Sequence, residues 1–125
     1  VSPHTEINNA TRVLTAAGIR ATARFPEADL ESEALRELGL LIRESTTNIL
    51  RHAKAERADF DMTVADDHVA MRIRNDGIDT SASTGSGTGL VALGERFERA
   101  GGRLEWHRDG DKFTVTAQLP RKGAT

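Results

Sequence analysis

In the middle of the chain the spacing of apolar residues changes from a helical period to a strict alternation. This change constrains the fold more than any other feature of the sequence. Between residues 31 and 53 the apolar positions follow a helical period, and they are Leu35, Leu38, Leu41, Ile42, Ile49 and Ala53. Between residues 59 and 74 apolar and polar residues alternate, and the apolar set is Phe60, Met62, Val64, Val69, Met71 and Ile73. The sequence therefore predicts a long amphipathic helix followed by a β-hairpin with one buried face.

Weaker patterns on both sides of this region complete the order of elements. They predict a helix at 5–17, a strand at 19–25, a loop at 76–89, a helix at 90–100 and a hairpin at 104–119. Gly18 and the pair Gly101-Gly102 stop the two shorter helices. The order predicts an α+β fold, a two-layer α/β sandwich in which about three helices cover one face of a mixed sheet.

Composition excludes several classes of protein. The 125 residues suit one domain, which we expect to span residues 1–125. The chain has no cysteine, so disulfides and thiolate metal sites are excluded. A net charge of -2 gives no basic excess for a nucleic-acid partner. No apolar run approaches the roughly 20 residues that a membrane span needs, so we expect no direct membrane contact.

Three polar residues on the long helix carry the first chemical signal. Glu44, Asn48 and His52 are spaced four residues apart, so they follow one ridge of the helix. Such a ridge is more often a solvated polar face, but these residue types suit a nucleotide. An amide oxygen can occupy one Mg²⁺ position, a carboxylate can hold a metal-bound water or act as a base, and an imidazole can meet phosphate oxygens.

A glycine-rich segment supplies the second signal. Gly85-Ser86-Gly87-Thr88-Gly89 runs directly into the amphipathic helix predicted from Leu90. Glycines let backbone N–H groups converge on an anion, and a helix N-terminus adds a partial positive charge. A flexible linker has a similar composition, but the immediate start of a helix favours a phosphate site.

A third and weaker signal follows the second strand of the hairpin. Asn75-Asp76-Gly77 is common turn chemistry. The same residues can serve a ligand, because Asn75 or Asp76 can hydrogen-bond the edge of a base and Gly77 allows the backbone a close approach. A dinucleotide fingerprint at 87–92 is only a partial match, because it does not open a βαβ unit.

The remaining polar residues have plain structural interpretations. Arg96 and Arg99 fall on the polar face of the second core helix and need only be solvated. The isolated residues His4, His68 and His107 show no spacing typical of a zinc site. These residues therefore carry no functional prediction.

The three signals in this order resemble a known family. The run from Arg43 to Ala53 resembles the N box of bacterial two-component sensor histidine kinases that pair with NarL/LuxR-type response regulators. Residues 74–77 resemble their G1 box, and residues 85–90, 94–96 and 101–104 resemble their G2 region. These kinases are GHKL ATPases, so the resemblance implies the Bergerat fold and an ATP-binding catalytic domain that uses Mg²⁺.

The resemblance assigns roles to the long helix. Asn48 would coordinate Mg²⁺ that bridges the phosphates of ATP, and Glu44 would orient metal-bound water or assist proton transfer. Arg51 and His52 would contact phosphates or support the metal shell. By this resemblance Glu44 is the catalytic residue and Asn48 the metal ligand.

The other two segments would hold the rest of the nucleotide. Asn75 stands where the family usually places the aspartate that recognises adenine, and Gly77 would pack close to the adenine. The remaining residues implied in ATP binding are Gly85, Gly87, Thr88, Gly89 and Leu90.

The resemblance also implies partners and a location. In this family the phosphoacceptor histidine lies on a dimerising helical hairpin upstream of the ATPase domain, and His4 lacks the sequence context of that motif. We therefore expect the hairpin of the full-length kinase as the direct partner and a response regulator as an indirect one. We expect a cytoplasmic location, also within a membrane-anchored parent, and a monomer when the domain is isolated.

Two departures keep other interpretations open. Asn75 replaces the usual aspartate, and Asp79 replaces the second glycine of the G1 box. A degenerate nucleotide-binding or interaction module is therefore one alternative. An anti-sigma-type serine kinase and a dinucleotide-binding enzyme are two others.

Overall fold

The computed structural model describes residues 3–52, 54–78 and 87–121 of the chain. Its elements are α1 (Pro3–Ala16), β1 (Arg20–Arg24), α2 (Ser32–His52), β2 (Arg57–Val64), β3 (His68–Asn75), α3 (Gly87–Arg99), β4 (Arg103–Asp109) and β5 (Lys112–Pro120). The predicted order of helices and strands is confirmed. Among the described residues, no helix has the length and apolar character needed to cross a lipid bilayer.

The five strands form one mixed sheet in the order β1-β2-β3-β5-β4. β1 and β2 are parallel, and α2 is the crossover between them; the other three pairs are antiparallel. In the first hairpin acidic residues lie opposite basic ones, because Asp59 pairs with Arg74 and Asp61 with Arg72. The sheet and three helices confirm the predicted α+β class.

Alternation along the strands places one face of the sheet in the core. The buried strand residues are Ala58, Phe60, Met62, Val69, Met71, Ile73, Val115, Ala117 and Leu119. The helices cover this face with Ile7, Ala10, Leu14, Leu38, Leu41, Ile42, Ile49, Leu90, Leu93 and Phe97. The apolar stripe of α2 is therefore the centre of the core, and its polar ridge points away from the sheet.

The helix α3 starts earlier than the sequence predicted, but it ends as predicted. The helix begins at Gly87, although the sequence predicted a loop through Gly89. Helical geometry is available there because the first N–H groups of a helix need no intrahelical partner. At the other end, Gly101 has φ +89° and the Gly102 nitrogen donates to the Phe97 carbonyl at 2.8 Å. This Schellman motif confirms the predicted stop.

Candidate functional site

The first turn of α3 lies directly against α2 at Glu44. A Cβ atom added to Gly89 would be 2.5 Å from Oε2 of Glu44 and 2.7 Å from its carboxyl carbon. A side chain at position 89 would therefore push the carboxylate away. The contact also places the Glu44 carboxylate beside the partial positive charge of the α3 N-terminus, where a negative group is stabilised.

A second contact, an ion pair with a buried carboxylate, joins α2 and α3. Nε of Arg96 donates to both carboxylate oxygens of Glu37 at 3.0 and 2.9 Å, and Nη2 donates to Oε1 at 2.6 Å. The Glu37 side chain is 5% exposed and that of Arg96 is 39% exposed. Hydrogen bonding to Glu37, followed by its charge, raises the pKa of Arg96 above its ordinary value. Arg96 is therefore bonded to α2 while its side chain stays partly exposed, and it is not the wholly solvated residue that the sequence suggested.

These two contacts show that α2 and α3 run antiparallel in a fixed register. Glu37 precedes Glu44 by seven residues, and Arg96 follows Gly89 by seven. Seven residues are about two helical turns, or roughly 10 Å along each axis. No local pattern in the sequence indicates this pairing, because 59 positions separate Glu37 from Arg96.

The predicted polar ridge of α2 is only partly accessible to solvent. Glu44 and Asn48 are half-buried, and Arg51 is exposed. His52 is the last residue of α2, but its side chain lies outside the described residues. Within the described part of the chain, Glu44 and Asn48 make no hydrogen bond or ion pair with another side chain, so both are available to a ligand.

Ser45 is a further polar residue on α2 that sequence reasoning did not single out. It is 4% exposed, and its Oγ atom has no hydrogen-bond partner among the described residues. A buried hydroxyl without a partner costs free energy. Ser45 adjoins Glu44 in the chain, so three neighbouring polar groups of α2, those of Glu44, Ser45 and Asn48, lack partners among the described residues.

Asn75 lies at the end of β3 with 5% of its surface exposed. Its Nδ2 donates to the carbonyl oxygen of Asp76 at 2.9 Å. This bond leaves Oδ1 as the side-chain atom that can accept a hydrogen from a ligand. An acceptor is what the exocyclic amine of adenine requires.

The neighbours of Asn75 attach this segment to the end of α2. Oδ1 of Asp76 accepts backbone N–H bonds from Glu56 at 2.8 Å and Arg57 at 3.1 Å. The Gly77 carbonyl accepts from the Lys54 nitrogen at 2.9 Å. The Asp76 carboxylate is thus used within the fold, and the segment is fixed two residues beyond His52.

Gly77 has a structural requirement of its own. Its φ is +75°, and an added Cβ would overlap the carbonyl group of Lys54. A side chain is therefore excluded at this position by the protein backbone alone. A close approach to a ligand stays a prediction for Gly77.

The glycine-rich segment is described only from its helical part onward. Gly85 lies outside the described residues, and Gly87 and Thr88 are described only as the first residues of α3. The side chain of Leu90 is 1% exposed and belongs to the core. The Leu90 side chain is therefore not available to a ligand, and only its backbone, in the first turn of α3, can contact one.

The residues of α2 fit a magnesium–nucleotide complex better than a metal centre built by protein alone. Among the described residues, no three His, Cys, Asp or Glu side chains come together as a metal site. Mg²⁺ bound with a nucleotide needs only one or two protein ligands, because phosphates and waters fill the other positions. The amide of Asn48, with the Glu44 carboxylate one turn away, meets that requirement.

Comparison with known proteins gives matches in structure only. No protein-family model matches the chain, and no curated protein matches it. The histidine kinase domain of the blue-light activated histidine kinase EL346 from Erythrobacter litoralis matches with a TM-score of 0.72 and 17% identity, over 92% of this chain and 57% of that one. The histidine kinase AdeS from Acinetobacter baumannii matches with a TM-score of 0.74 and 12% identity, over 96% and 65%.

A second structure of the Erythrobacter litoralis EL346 kinase matches with a TM-score of 0.75 and 17% identity, over 95% of this chain and 40% of that one. The chain has the fold of these histidine kinase domains. It spans less than two thirds of each matched structure. The likeness covers nearly all of the described elements, from α1 to β5.

Proposed function

We propose that this chain is the ATP-binding catalytic domain of a two-component sensor histidine kinase. In this proposal it binds Mg²⁺-ATP and donates the γ-phosphoryl group to a histidine on a dimerisation hairpin elsewhere in the kinase. The N, G1 and G2 boxes assign it to the GHKL kinases that pair with NarL/LuxR-type response regulators. Residues 1–125 form one domain in this proposal, and it acts in the cytoplasm.

One observation carries the proposal: the start of α3 contacts α2 at Glu44, and the segment after β3 is bonded to the chain just beyond the end of α2. The N-terminus of α3 meets Glu44 through Gly89. The segment after β3 is bonded to Lys54, just beyond the end of α2. Residues from three separate stretches of sequence are thus collected around polar groups of α2 that lack partners in the described protein.

Each part of ATP has a matching group in this arrangement. The Oδ1 atom of Asn75 accepts from the exocyclic amine of adenine, and the backbone of the first turn of α3 receives the phosphates. Asn48 would coordinate Mg²⁺, and Glu44 would hold water beside the ion. When bound, Mg²⁺ supplies positive charge that offsets the charge of the phosphates.

The transfer itself requires little acid–base chemistry from this domain. A nitrogen of the acceptor imidazole attacks the γ-phosphorus, the bond from that phosphorus to the bridging oxygen breaks, and ADP leaves with the electron pair. Positioning and charge neutralisation dominate such a step. The first turn of α3 is suited to both tasks, because its N–H groups position the phosphates and carry partial positive charge. Glu44 contributes to positioning only, because a carboxylate repels phosphate.

Calorimetric titration with ATP, with and without Mg²⁺, tests the proposal on the wild-type chain and Asn48→Ala. Binding that depends on Mg²⁺ and is lost in Asn48→Ala is the expected result. Thr47→Ala is the matched control, because Thr47 precedes Asn48 on the same helix and its hydroxyl only donates to the Arg43 carbonyl at 3.1 Å. If the wild type binds no adenine nucleotide at millimolar concentration, the kinase proposal is wrong and a degenerate interaction module is favoured.

Phosphotransfer needs the acceptor hairpin. The full-length kinase, incubated with ATP labelled in the γ-phosphate, is expected to label a histidine, and Asn48→Ala to abolish that label. Acid treatment distinguishes the product, because a phosphohistidine is lost in acid and a phosphoserine is retained. An acid-stable label on a serine of a separate protein would instead favour the anti-sigma-type kinase.

A further inference from the structure

We propose that Glu37 and Arg96 are a positioning pair that sets the register of α3 and thereby holds its phosphate-binding first turn against Glu44. This inference rests on the proposed function, because it assigns a role in placing the ATP phosphates. Neither residue contacts the nucleotide in this account. Both act through Gly89, about two helical turns away.

The geometry of the Glu37–Arg96 pair suits a role in fixing the position of α3 along α2. The carboxylate of Glu37 is almost fully enclosed, and the Arg96 guanidinium bonds to both of its oxygens. A two-point contact of this kind has a narrow range of acceptable geometries. Sliding α3 by one residue along its axis would move the guanidinium by about 1.5 Å and break the fork.

The other contacts of α3 are less selective for register. Its buried side chains Leu90, Leu93 and Phe97 form an apolar stripe. Apolar contacts are non-directional, so they hold the helix on the sheet but discriminate weakly between neighbouring positions. The bidentate pair is the contact between α2 and α3, among the described residues, that requires one alignment.

Gly89 shows why the alignment matters. A Cβ there would stand 2.5 Å from the Glu44 carboxylate, so this carboxylate occupies the space that a side chain at position 89 would fill. A small slide or rotation of α3 would replace Gly89 with another residue beside Glu44. The carboxylate and the N–H groups of the first turn would then no longer face one phosphate position.

The test compares two pairs of variants in the otherwise intact chain. Glu37→Gln replaces one acceptor oxygen with a donor, and Arg96→Lys keeps the charge but loses the fork. Glu33→Gln and Arg99→Lys are matched controls, because these exposed residues line the same surface groove and belong to no ion pair in the described structure. Each variant is measured well below its melting temperature, so that all are folded.

Two readouts are taken. Glu37→Gln is expected to weaken Mg²⁺-ATP binding by about tenfold and Arg96→Lys by a smaller factor, with both controls unchanged. Without nucleotide, backbone amide hydrogen exchange at residues 89–91 is expected to rise in Glu37→Gln and to stay at the wild-type rate in Glu33→Gln.

The outcomes separate this inference from the proposed function. If Glu37→Gln loses thermal stability but keeps wild-type ATP affinity and exchange at residues 89–91, the pair is merely structural and the inference is wrong. If the wild type does not bind Mg²⁺-ATP, the proposed function fails. In that case faster exchange at residues 89–91 in Glu37→Gln still supports the inference that the ion pair sets the register of α3. Unchanged exchange overturns that inference.

Discussion

The two halves of α2 contain glutamates of the same chemistry that face α3 in different surroundings. In the N-terminal half, Glu37 is enclosed and takes three hydrogen bonds from Arg96. In the C-terminal half, Glu44 faces a glycine at the start of α3, with no cation bonded to it in the described structure. A carboxylate that is satisfied inside the protein serves the fold. One that lies beside a helix N-terminus with no cation bonded to it in the described structure is available to a ligand.

The same contrast extends to the neighbours of the two residues. Near Glu37 the surface is lined by charged and polar side chains, and the Glu37 carboxylate is satisfied by the ion pair with Arg96. Near Glu44, both Ser45 and Asn48 lack side-chain partners among the described residues. Folding alone does not favour such a cluster, since the buried Ser45 hydroxyl without a partner costs free energy. The cluster is therefore the part of α2 for which a ligand gives the best physical reason.

The largest expected difference is between removal of the two carboxylates. Glu37→Ala removes a buried carboxylate and its three hydrogen bonds from Arg96, so we expect a clear loss in the free energy of unfolding, which hydration of the partly exposed Arg96 reduces. Glu44→Ala is expected to change that free energy by less than about 1 kcal/mol but to impair phosphate transfer in the full-length kinase. Urea denaturation of both variants measures the contrast, and equal losses of stability would remove it.

A substitution at Gly89 tests the ligand-facing half directly. Gly89→Ala places a methyl group where the Glu44 carboxylate now lies. Because that carboxylate is the end of a flexible side chain, we expect it to move aside with little loss of stability and a drop of about tenfold or more in ATP affinity. Calorimetry and thermal denaturation report the two effects separately.

Gly94→Ala is the matched control for Gly89→Ala. Gly94 lies on the same helix, and a Cβ there would meet no atom within 4 Å. We expect it to stabilise the chain by up to about 1 kcal/mol, because alanine is the better helix former, and to leave ATP affinity unchanged. An equal loss of affinity in both variants would show that helix propensity, and not the contact with Glu44, controls binding.

Ser45→Ala is expected to have a smaller effect with the opposite sign. Removing a buried hydroxyl without a partner should raise the free energy of unfolding of the nucleotide-free chain by about 1 kcal/mol. Chemical denaturation of the nucleotide-free protein gives the value. A clear destabilisation would mean that the hydroxyl is satisfied in solution, and Ser45 would then belong with Glu37 and not with Glu44.

The smallest effect is expected at an exposed ion pair in the β2–β3 turn. Nδ1 of His68 lies 2.8 Å from Oδ1 of Asp67, and this hydrogen bond lowers the pKa of the Asp67 carboxyl below its ordinary value. A lowered pKa gives stability that is present above the ordinary pKa of aspartate and is lost as the pH falls through the lowered one. His68→Gln should remove this slight acid dependence, as measured by urea denaturation between pH 6 and about pH 2.5. The same acid dependence in both proteins would assign it to other groups.

The order of elements was predictable from sequence because its signals are local. The period of α2, the alternation in β2 and β3 and the glycines at helix ends act over a few residues. The long-range contacts were not predictable in the same way. In the sequence, Arg96 resembles any other cation on the surface of a helix. No local pattern indicates its contact with Glu37, which lies far away in the chain.

The residue types of the candidate site were predictable from sequence. Which of these residues serve the fold and which stay available to a ligand was not. Glu44, Asn48 and Asn75 were found from spacing and from the resemblance. Asp76 has the same apparent suitability for a base, yet its carboxylate is used by two backbone N–H groups at the start of β2. That assignment depends on how the segment folds back onto the end of α2, which no local pattern shows.

The most direct test of the central claim is a nuclear magnetic resonance titration of the labelled chain with Mg²⁺-ATP. The account predicts that the side-chain amides of Asn48 and Asn75 and the backbone amides of residues 89–91 shift together. The side-chain amide of Asn9, which bonds to Arg12 on α1, should stay in place. Shifts confined to other regions, or none at millimolar nucleotide, would contradict the claim that the unpaired polar groups of α2 form an ATP site.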